Sequence, residues 1–264
     1  MIRKTFHDRR PVLVSFSGID GSGKSTQIER LRSRLEDAGV RVLLVTFWND
    51  VARLKRFREV TGHALFHGDK GVGTPEQPIN RRDKNVRSWY MTAVRFFLYF
   101  LDANSLRVVA EKALRAGVDL VIFDRYLHDE LANLTLRSRF SRGYVRLLMM
   151  LVPRPDISFL LDADPIEARA RKPEYPLDFL DRNRRSYLTL SRLVGGMRII
   201  APQPVPDVGR QVLYAVLSKL LPGVFRDRKA GKKPAVVGEQ GVSNRLEPAS
   251  MLRADSPETR SVAA

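Results

Sequence analysis

The 264-residue sequence predicts an α/β fold in three layers, a five-stranded parallel β-sheet flanked by helices. Three observations lead there. Five short runs rich in Val, Ile, Leu and Phe alternate with stretches of helical periodicity, the pattern of strands joined by crossover helices. Two of those runs, Val42-Leu43-Leu44-Val45 and Val118 to Phe123, are apolar almost without interruption, as strands buried on both faces are. A glycine-rich octapeptide, Gly18-Ile19-Asp20-Gly21-Ser22-Gly23-Lys24-Ser25, falls between the first run and the first helical stretch.

The first strand is read at Val12 to Ser17, and the helix after the octapeptide at Gln27 to Ala38, where Ile28, Leu31, Leu35 and Ala38 keep helical spacing and Gly39 provides a stop. The second strand covers Arg41 to Phe47. Residues 49 to 89 lack periodicity and hold Gly62, Gly68, Gly71, Gly73, Pro75 and Pro78, so an irregular or weakly helical insertion is expected, of the length that often carries function. A long helix follows at Tyr90 to Arg115, ending at Gly117, and its run Phe96 to Leu101 is apolar all round, which places it against the sheet. The remaining strands are Val118 to Asp124, Ile157 to Asp162 and Arg198 to Ala201. Near the C-terminus Lys, Pro, Ser, Glu and Arg replace periodic apolar residues. The division expected is a basic N-terminal extension at 1–11, one domain at 12–224 and a disordered tail at 225–264, with no internal repeat.

A strand feeding a glycine-rich turn ahead of a helix aims successive backbone N–H groups and the positive end of the helix at one point, where polyphosphate charge is stabilised. The octapeptide matches the phosphate-loop pattern in full, so Gly18, Ile19, Asp20, Gly21, Ser22, Gly23, Lys24 and Ser25 are the expected cradle for a nucleoside triphosphate. Lys24 would reach the β- and γ-phosphates and the Ser25 hydroxyl would ligate the bridging Mg2+. A second signal, Asp124-Arg125-Tyr126, puts a carboxylate and a guanidinium at the carboxyl end of a buried strand, where ligands of open α/β sheets bind. There Asp124 would join the Mg2+ shell and Arg125 would grip an acceptor phosphate through its planar fork. A third, Leu161-Asp162-Ala163-Asp164-Pro165, precedes a basic segment with Arg169, Arg171 and Lys172, read as a lid that closes over the triphosphate and excludes water.

Composition narrows the function further. Net charge is +17, but the basic residues are spread along the chain. The densest stretch, Arg53, Lys55, Arg56 and Arg58 with Arg81, Arg82, Lys84 and Arg87, lacks interleaved aromatics, so it reads as a solvated face or a pocket for an anionic substrate, not a base-stacking platform for nucleic acid. The chain has no cysteine, which excludes disulfides and thiolate metal sites, and its four histidines are too scattered for zinc. Met1 to Pro11 lacks the apolar core of a secretory signal, and no segment is long enough to span a bilayer, so cytoplasmic residence is expected.

Across roughly residues 12 to 220 the chain resembles the thymidylate kinase family of P-loop nucleoside monophosphate kinases, on three motifs in order: the octapeptide extended by Thr26-Gln27, Asp124-Arg125-Tyr126, and Leu161 to Pro165 with its basic segment. The resemblance implies a P-loop kinase fold, ATP and Mg2+ as cofactors, a nucleoside monophosphate as acceptor, most directly dTMP, and a possible homodimer. It places Asp20 near the acceptor sugar's 3′-hydroxyl, Arg125 on the acceptor phosphate, Phe47 near the acceptor pocket, and Thr26 with the loop. No basic residue stands at Gly21 or Ser22, and in this family such a loop goes with catalytic arginines in the lid, a role that falls to Arg169 and Arg171. Two departures mark a remodelled acceptor pocket. Phe47-Trp48-Asn49-Asp50 stands where the family has Arg-Glu-Pro-Gly-Gly-Thr or Phe-Pro, and Asp102 is followed by Ala103 instead of the arginine of a nucleotide-contacting pair. Arg95 or Arg107 is the candidate substitute, and Tyr99 or Phe100 the candidate ring to stack on a base. Those departures keep two alternatives open: a P-loop kinase of another small acceptor, and a non-catalytic nucleotide-binding or nucleic-acid-associated ATPase module.

Overall fold

A computed structural model describes residues 10–47, 89–134, 136 and 138–222, with only the backbone for 89–95. The insertion up to residue 88, its basic stretch, most of the N-terminal extension and the tail from 225 lie outside the described residues.

Strand β1 (Val12–Ser17) is the centre of a five-stranded sheet of order β2-β3-β1-β4-β5, completed by β2 (Val42–Thr46), β3 (Leu120–Asp124), β4 (Ile157–Leu161) and β5 (Met197–Ile200). Every pairing is parallel. All five strands fall within two residues of the bounds read from the sequence. The chain leaves β1 for the far strand β2, returns to place β3 between them, and then crosses to β4 on the other side. Strand order therefore reverses at β1, and the crevice beyond its carboxyl end is where such sheets bind ligands.

Seven helices are described: α1 (Lys24–Asp37), α2 (Trp89–Leu114), α3 (Leu127–Leu131), α4 (Arg139–Leu151), α5 (Pro165–Arg171), α6 (Leu177–Val194) and α7 (Val205–Leu220). Side chains alternate across a strand, so each strand feeds two cores. On one face Leu13, Val121, Phe123 and Leu160 pack beneath α2, α3, α4 and α6, with Leu106, Leu127, Leu131, Leu148 and Leu190 fully buried. On the other, Val14, Phe16, Ile122 and Phe159 meet Ile28, Leu31 and Leu35 of α1 and Val212, Val216 and Leu217 of α7. The register sets Phe16 beside both Asp124 and Phe159, and the two phenyl rings stack at a centroid distance of 5.1 Å. None of the described helices is long and apolar enough to cross a membrane.

The long helix α2 lies against the sheet as expected, but its apolar run does not bury all round. Tyr99, Ala103, Leu106, Ala110 and Ala113, spaced four and three apart, form its buried face, whereas Phe97 is 62% and Phe100 42% exposed. Its buried face meets the sheet and the helices α3 and α4 beside it, with Phe96 edge-on to Phe140 and Tyr144, and the opposite face carries Phe97 and Phe100.

Replacing Leu106 by Ala empties that buried face and is expected to lower unfolding free energy by about 2–5 kcal/mol. Its neighbour Arg107 is exposed and pairs with Glu111 one turn on, so Arg107→Ala is expected to change stability by less than about 0.5 kcal/mol. Urea titration of both variants checks the assignment of faces.

Candidate active site

The phosphate loop is shaped by what surrounds it. Gly18 and Gly21 have φ of 146° and 81°, and Gly23 (φ 87°) caps α1. A Cβ at Gly18 would stand 2.5 Å from the Leu161 carbonyl oxygen, and one at Gly21 would run into the Ala168 carbonyl. The loop is thus wedged between the end of β4 and helix α5, and both contacts are with backbone that no rotamer change can move aside. Beyond it α1 opens with no acidic residue in its first turn and no side-chain cap, leaving its N-terminal N–H groups and positive dipole end to an anion. Ser25 and Thr26 are exposed at that end.

Lys24 is 6% exposed, and its Nζ donates to the carbonyl oxygens of Gly18 (2.8 Å) and Ile19 (2.9 Å). Burial, then the Arg125 charge, pushes its ammonium down to about 8, against the pull of Asp20, Asp129 and Asp124. Arg125 faces the loop from the end of β3. It holds φ 71°, a left-handed conformation unusual for a residue with a side chain. Its backbone N–H donates to the Phe16 carbonyl (3.0 Å), and its Nη2 donates to Asp20 Oδ1 at 2.5 Å. Burial pushes the Asp20 carboxyl up, but the charges of Arg125, Lys24 and Lys172 with the Arg125 hydrogen bond outweigh it and hold it below its ordinary value. Burial disfavours the Arg125 charge, but Asp129 and Asp20 more than compensate.

Behind Arg125 lies a group that motif reading missed. Asp129, 5% exposed, accepts hydrogen bonds from Ser17 Oγ (2.7 Å) and the Tyr126 N–H (3.1 Å) on one oxygen, and from the Tyr187 hydroxyl (2.7 Å) on the other. Its second oxygen is also 3.8 Å from Arg125 Nη1. The available signal was its place three residues past Tyr126, where an acid closes the first turn of a helix. Its neighbour His128 is 2% exposed, and its Nδ1 has no hydrogen-bond partner among the described residues. Burial pushes that imidazole down to about 4, only partly opposed by Asp129.

The third motif resolves into structure. Asp162 takes both Arg184 Nε (2.6 Å) and Nη2 (2.7 Å), tying α6 to the end of β4. Asp164 caps α5 by accepting the Ile166 N–H (2.8 Å), with Pro165 at the first helical position. In the basic segment Arg169 is half-buried beside Ala168, the residue Gly21 touches. Arg171 turns back to the Glu167 carbonyl (3.2 Å) on the exposed side and is not brought to the loop. Lys172 is the residue of the basic segment whose charge acts on Asp20, and it pairs with Glu174 at 3.3 Å.

The remaining candidates are spread more widely. Phe47 is fully buried and Tyr99 is 7% exposed, so both are core side chains, and of the two candidate stacking rings Phe100 is the open one. Arg107 is engaged with Glu111 on the helix surface, and the side chain of Arg95 lies outside the described residues. Asp102 is 2% exposed, and its charge acts on the Tyr144 hydroxyl.

Among the described residues no three His, Cys, Asp or Glu side chains are grouped to hold a metal. The donors present suit Mg2+ nonetheless: an exposed Ser25 hydroxyl and a half-buried Asp124 carboxylate are hard oxygens, and two of them leave the rest of an octahedral shell to phosphate and water. Burial pushes the Asp124 carboxyl up, and Arg125 and Lys24 only partly offset this, so added positive charge there is favoured.

Comparison with known proteins gives the following. The chain is 30% identical over 190 residues to a thymidylate kinase of Bifidobacterium longum (strain DJO10A), covering 68% of this chain and 84% of that protein. It is 29% identical over 222 residues to a probable thymidylate kinase of Pyrococcus abyssi, covering 80% and 98%. A thymidylate kinase of Solidesulfovibrio magneticus is 27% identical over 235 residues, covering 80% of this chain and 100% of its own. No family model matches the chain.

The buried imidazole makes a pH prediction. In the folded chain His128 titrates at about 4, below its ordinary 6.5, so the unfolded chain takes up the extra proton first. Stability is therefore lost as pH falls from 6.5 towards 4, by up to about 3 kcal/mol from this group. Urea denaturation at pH 7 and pH 4.5 is expected to show a larger loss in the native chain than in His128→Leu.

Proposed function

This chain belongs to the thymidylate kinase family, is an ATP-dependent phosphotransferase and acts on a nucleoside monophosphate; we propose that its acceptor is dTMP and that Mg2+ accompanies the ATP. The products would be ADP and the nucleoside diphosphate. One observation supports the reading most: the lysine of a complete phosphate loop and an Asp-Arg pair from the next strand face one another across the carboxyl end of β1, joined by the Arg125–Asp20 ion pair.

The chain's own groups divide the work. The N–H groups of Gly18 to Thr26 and the open end of α1 bind the donor's phosphates. Lys24, now donating to loop carbonyls, would exchange those neutral acceptors for phosphate oxygens. Ser25 and Asp124 would hold Mg2+, which supplies charge neutralisation between the phosphates when bound. Arg125 offers its fork to the acceptor's phosphate, exchanging the Asp20 contact, and Asp20 is then released towards the acceptor sugar. Arg169, half-buried next in sequence to Ala168, is kept as the lid arginine for the transferring group in preference to Arg171, which is exposed, and Lys172 adds the charge that reaches Asp20. Catalysis of this kind is positioning and charge neutralisation, with no covalent enzyme intermediate.

Coupled ADP release with Mg·ATP against dTMP, dUMP, the other common monophosphates, thymidine and no acceptor tests the proposal. Turnover confined to dTMP and dUMP is the expected result, and turnover without acceptor, or only with another, overturns it. Lys24→Ala is expected to lower kcat by about 10^3-fold or more, since the lysine's charge lies along the transferring group. Arg125→Ala is expected to raise acceptor KM by about tenfold or more while ATP KM holds within about threefold, the signature of a lost acceptor-phosphate clamp.

A further inference from the structure

We propose that Asp129, oriented by Tyr187, is the positioning residue that holds Arg125 in its working conformation. What Arg125 does rests on the reading above, whereas how it is held rests on the network alone. A residue with a side chain at φ 71° sits in a conformation that persists only where its surroundings over-determine it. Here the restraints are explicit. The peptide before Arg125 is tied to β1 through the Phe16 carbonyl, and the peptide after it is tied to Asp129 through the Tyr126 N–H. The side chain is held by Asp20 on Nη2 and faces Asp129 on Nη1.

The two carboxylates are not equivalent. Asp20 lies in the phosphate loop, 18% exposed, within the influence of Lys24 and Lys172, and has a single hydrogen bond to Arg125. Asp129 is 3% exposed at its side chain and is fixed from three directions, by the end of β1, by the start of α3 and by α6. A phosphate arriving at the guanidinium displaces the accessible partner and keeps the buried one. Asp129 is then the counter-charge that stops Arg125 from relaxing out of its left-handed conformation or following the phosphate away. Tyr187 matters because its hydroxyl directs the carboxylate oxygen that faces Nη1. Burial, then the charge of Asp129, raises the Tyr187 hydroxyl well above its ordinary range, so it remains a donor at every working pH.

The test is a mutant cycle with a second, substrate-free readout. Asp129→Asn is expected to raise acceptor KM roughly tenfold with ATP KM little changed, and Tyr187→Phe to raise it by a smaller factor in the same direction. In the Arg125→Ala background Asp129→Asn is expected to change acceptor KM by less than about twofold, because its effect runs through the missing guanidinium. Equal factors in both backgrounds, or a fall in melting temperature with acceptor KM unmoved, overturn the inference. Guanidinium 15N signals of Arg125, recorded without nucleotide, are expected to show slow rotation in the native chain and fast rotation in Asp129→Asn. Slow rotation surviving in Asp129→Asn overturns the inference as well. That spectrum is independent of turnover, so an inactive native chain would end the kinase reading while leaving this result decisive.

Discussion

Two cations and three carboxylates converge beyond the carboxyl end of β1, and their mutual neutralisation is the condition on which this end of the molecule is packed. Lys24 and Arg125 supply the positive charge, and Asp20, Asp124 and Asp129 the negative. Any one of them alone would cost several kcal/mol to bury. Together they are partly withdrawn from water, and each faces an opposite charge or a hydrogen-bonding partner. The balance is uneven in a useful way. Lys24 is held largely by neutral carbonyls, and burial pulls its pKa to about 8, so an added phosphate improves its surroundings. Asp124 is pushed the other way and gains from an added cation. The pocket is therefore incomplete in the sense that suits a metal-bound polyphosphate.

The sheet makes that convergence possible. With β1 between β3 and β4, the loop following β1 and the pair following β3 leave the same edge side by side, and the register sets Phe16 against Asp124. The loop cannot then spread, because Gly18 meets Leu161 and Gly21 meets Ala168. This close approach explains physically why no arginine stands at Gly21. A side chain there would lift α5 from the loop, whereas the charge of Lys172, at the end of that helix, reaches the loop's Asp20. The Asp-Ala-Asp-Pro motif serves this arrangement: Asp162 anchors α6 through Arg184, and Asp164 with Pro165 starts α5 where it must begin to touch Gly21.

What was legible in the sequence is what local chemistry dictates. The strands declared themselves by continuous apolar runs, and the loop by a spacing of glycines, lysine and serine that has one mechanical use. The apolar run of α2 misled, because continuous hydrophobicity does not tell which turn faces the sheet, and Phe97 and Phe100 lie outside it. The Asp129 network was hidden for a different reason. Ser17 and Tyr187 lie 112 and 58 residues from Asp129, and only the closed sheet and the docking of α6 bring them together. An aspartate in a short helix carries no periodic signature and only the local one of an acid three residues past a helix start, which says nothing of Ser17 or Tyr187, and a tyrosine within an amphipathic helix carries none.

The two halves of the site are thus built by different means. The proposed donor side is made mostly of backbone: N–H groups, a helix end and carbonyls that accept from Lys24, all within residues 18–26. The proposed acceptor side is made of side chains from the end of β1, the residues after β3, α3 and α6, which meet at Arg125 with its left-handed backbone. A backbone cradle tolerates change outside its glycines, and it recognises a triphosphate without reading the base. A side-chain clamp depends on every member, so substitutions there retune the acceptor while leaving ATP in place. Departures from the usual acceptor motifs, such as Phe47-Trp48 after β2 and Ala103 after Asp102, are compatible with an intact donor site for that reason. On the proposed division the two functions meet beyond the strand at the centre of the sheet, where Arg125 is bound to Asp20 on the loop side and set against Asp129 behind it.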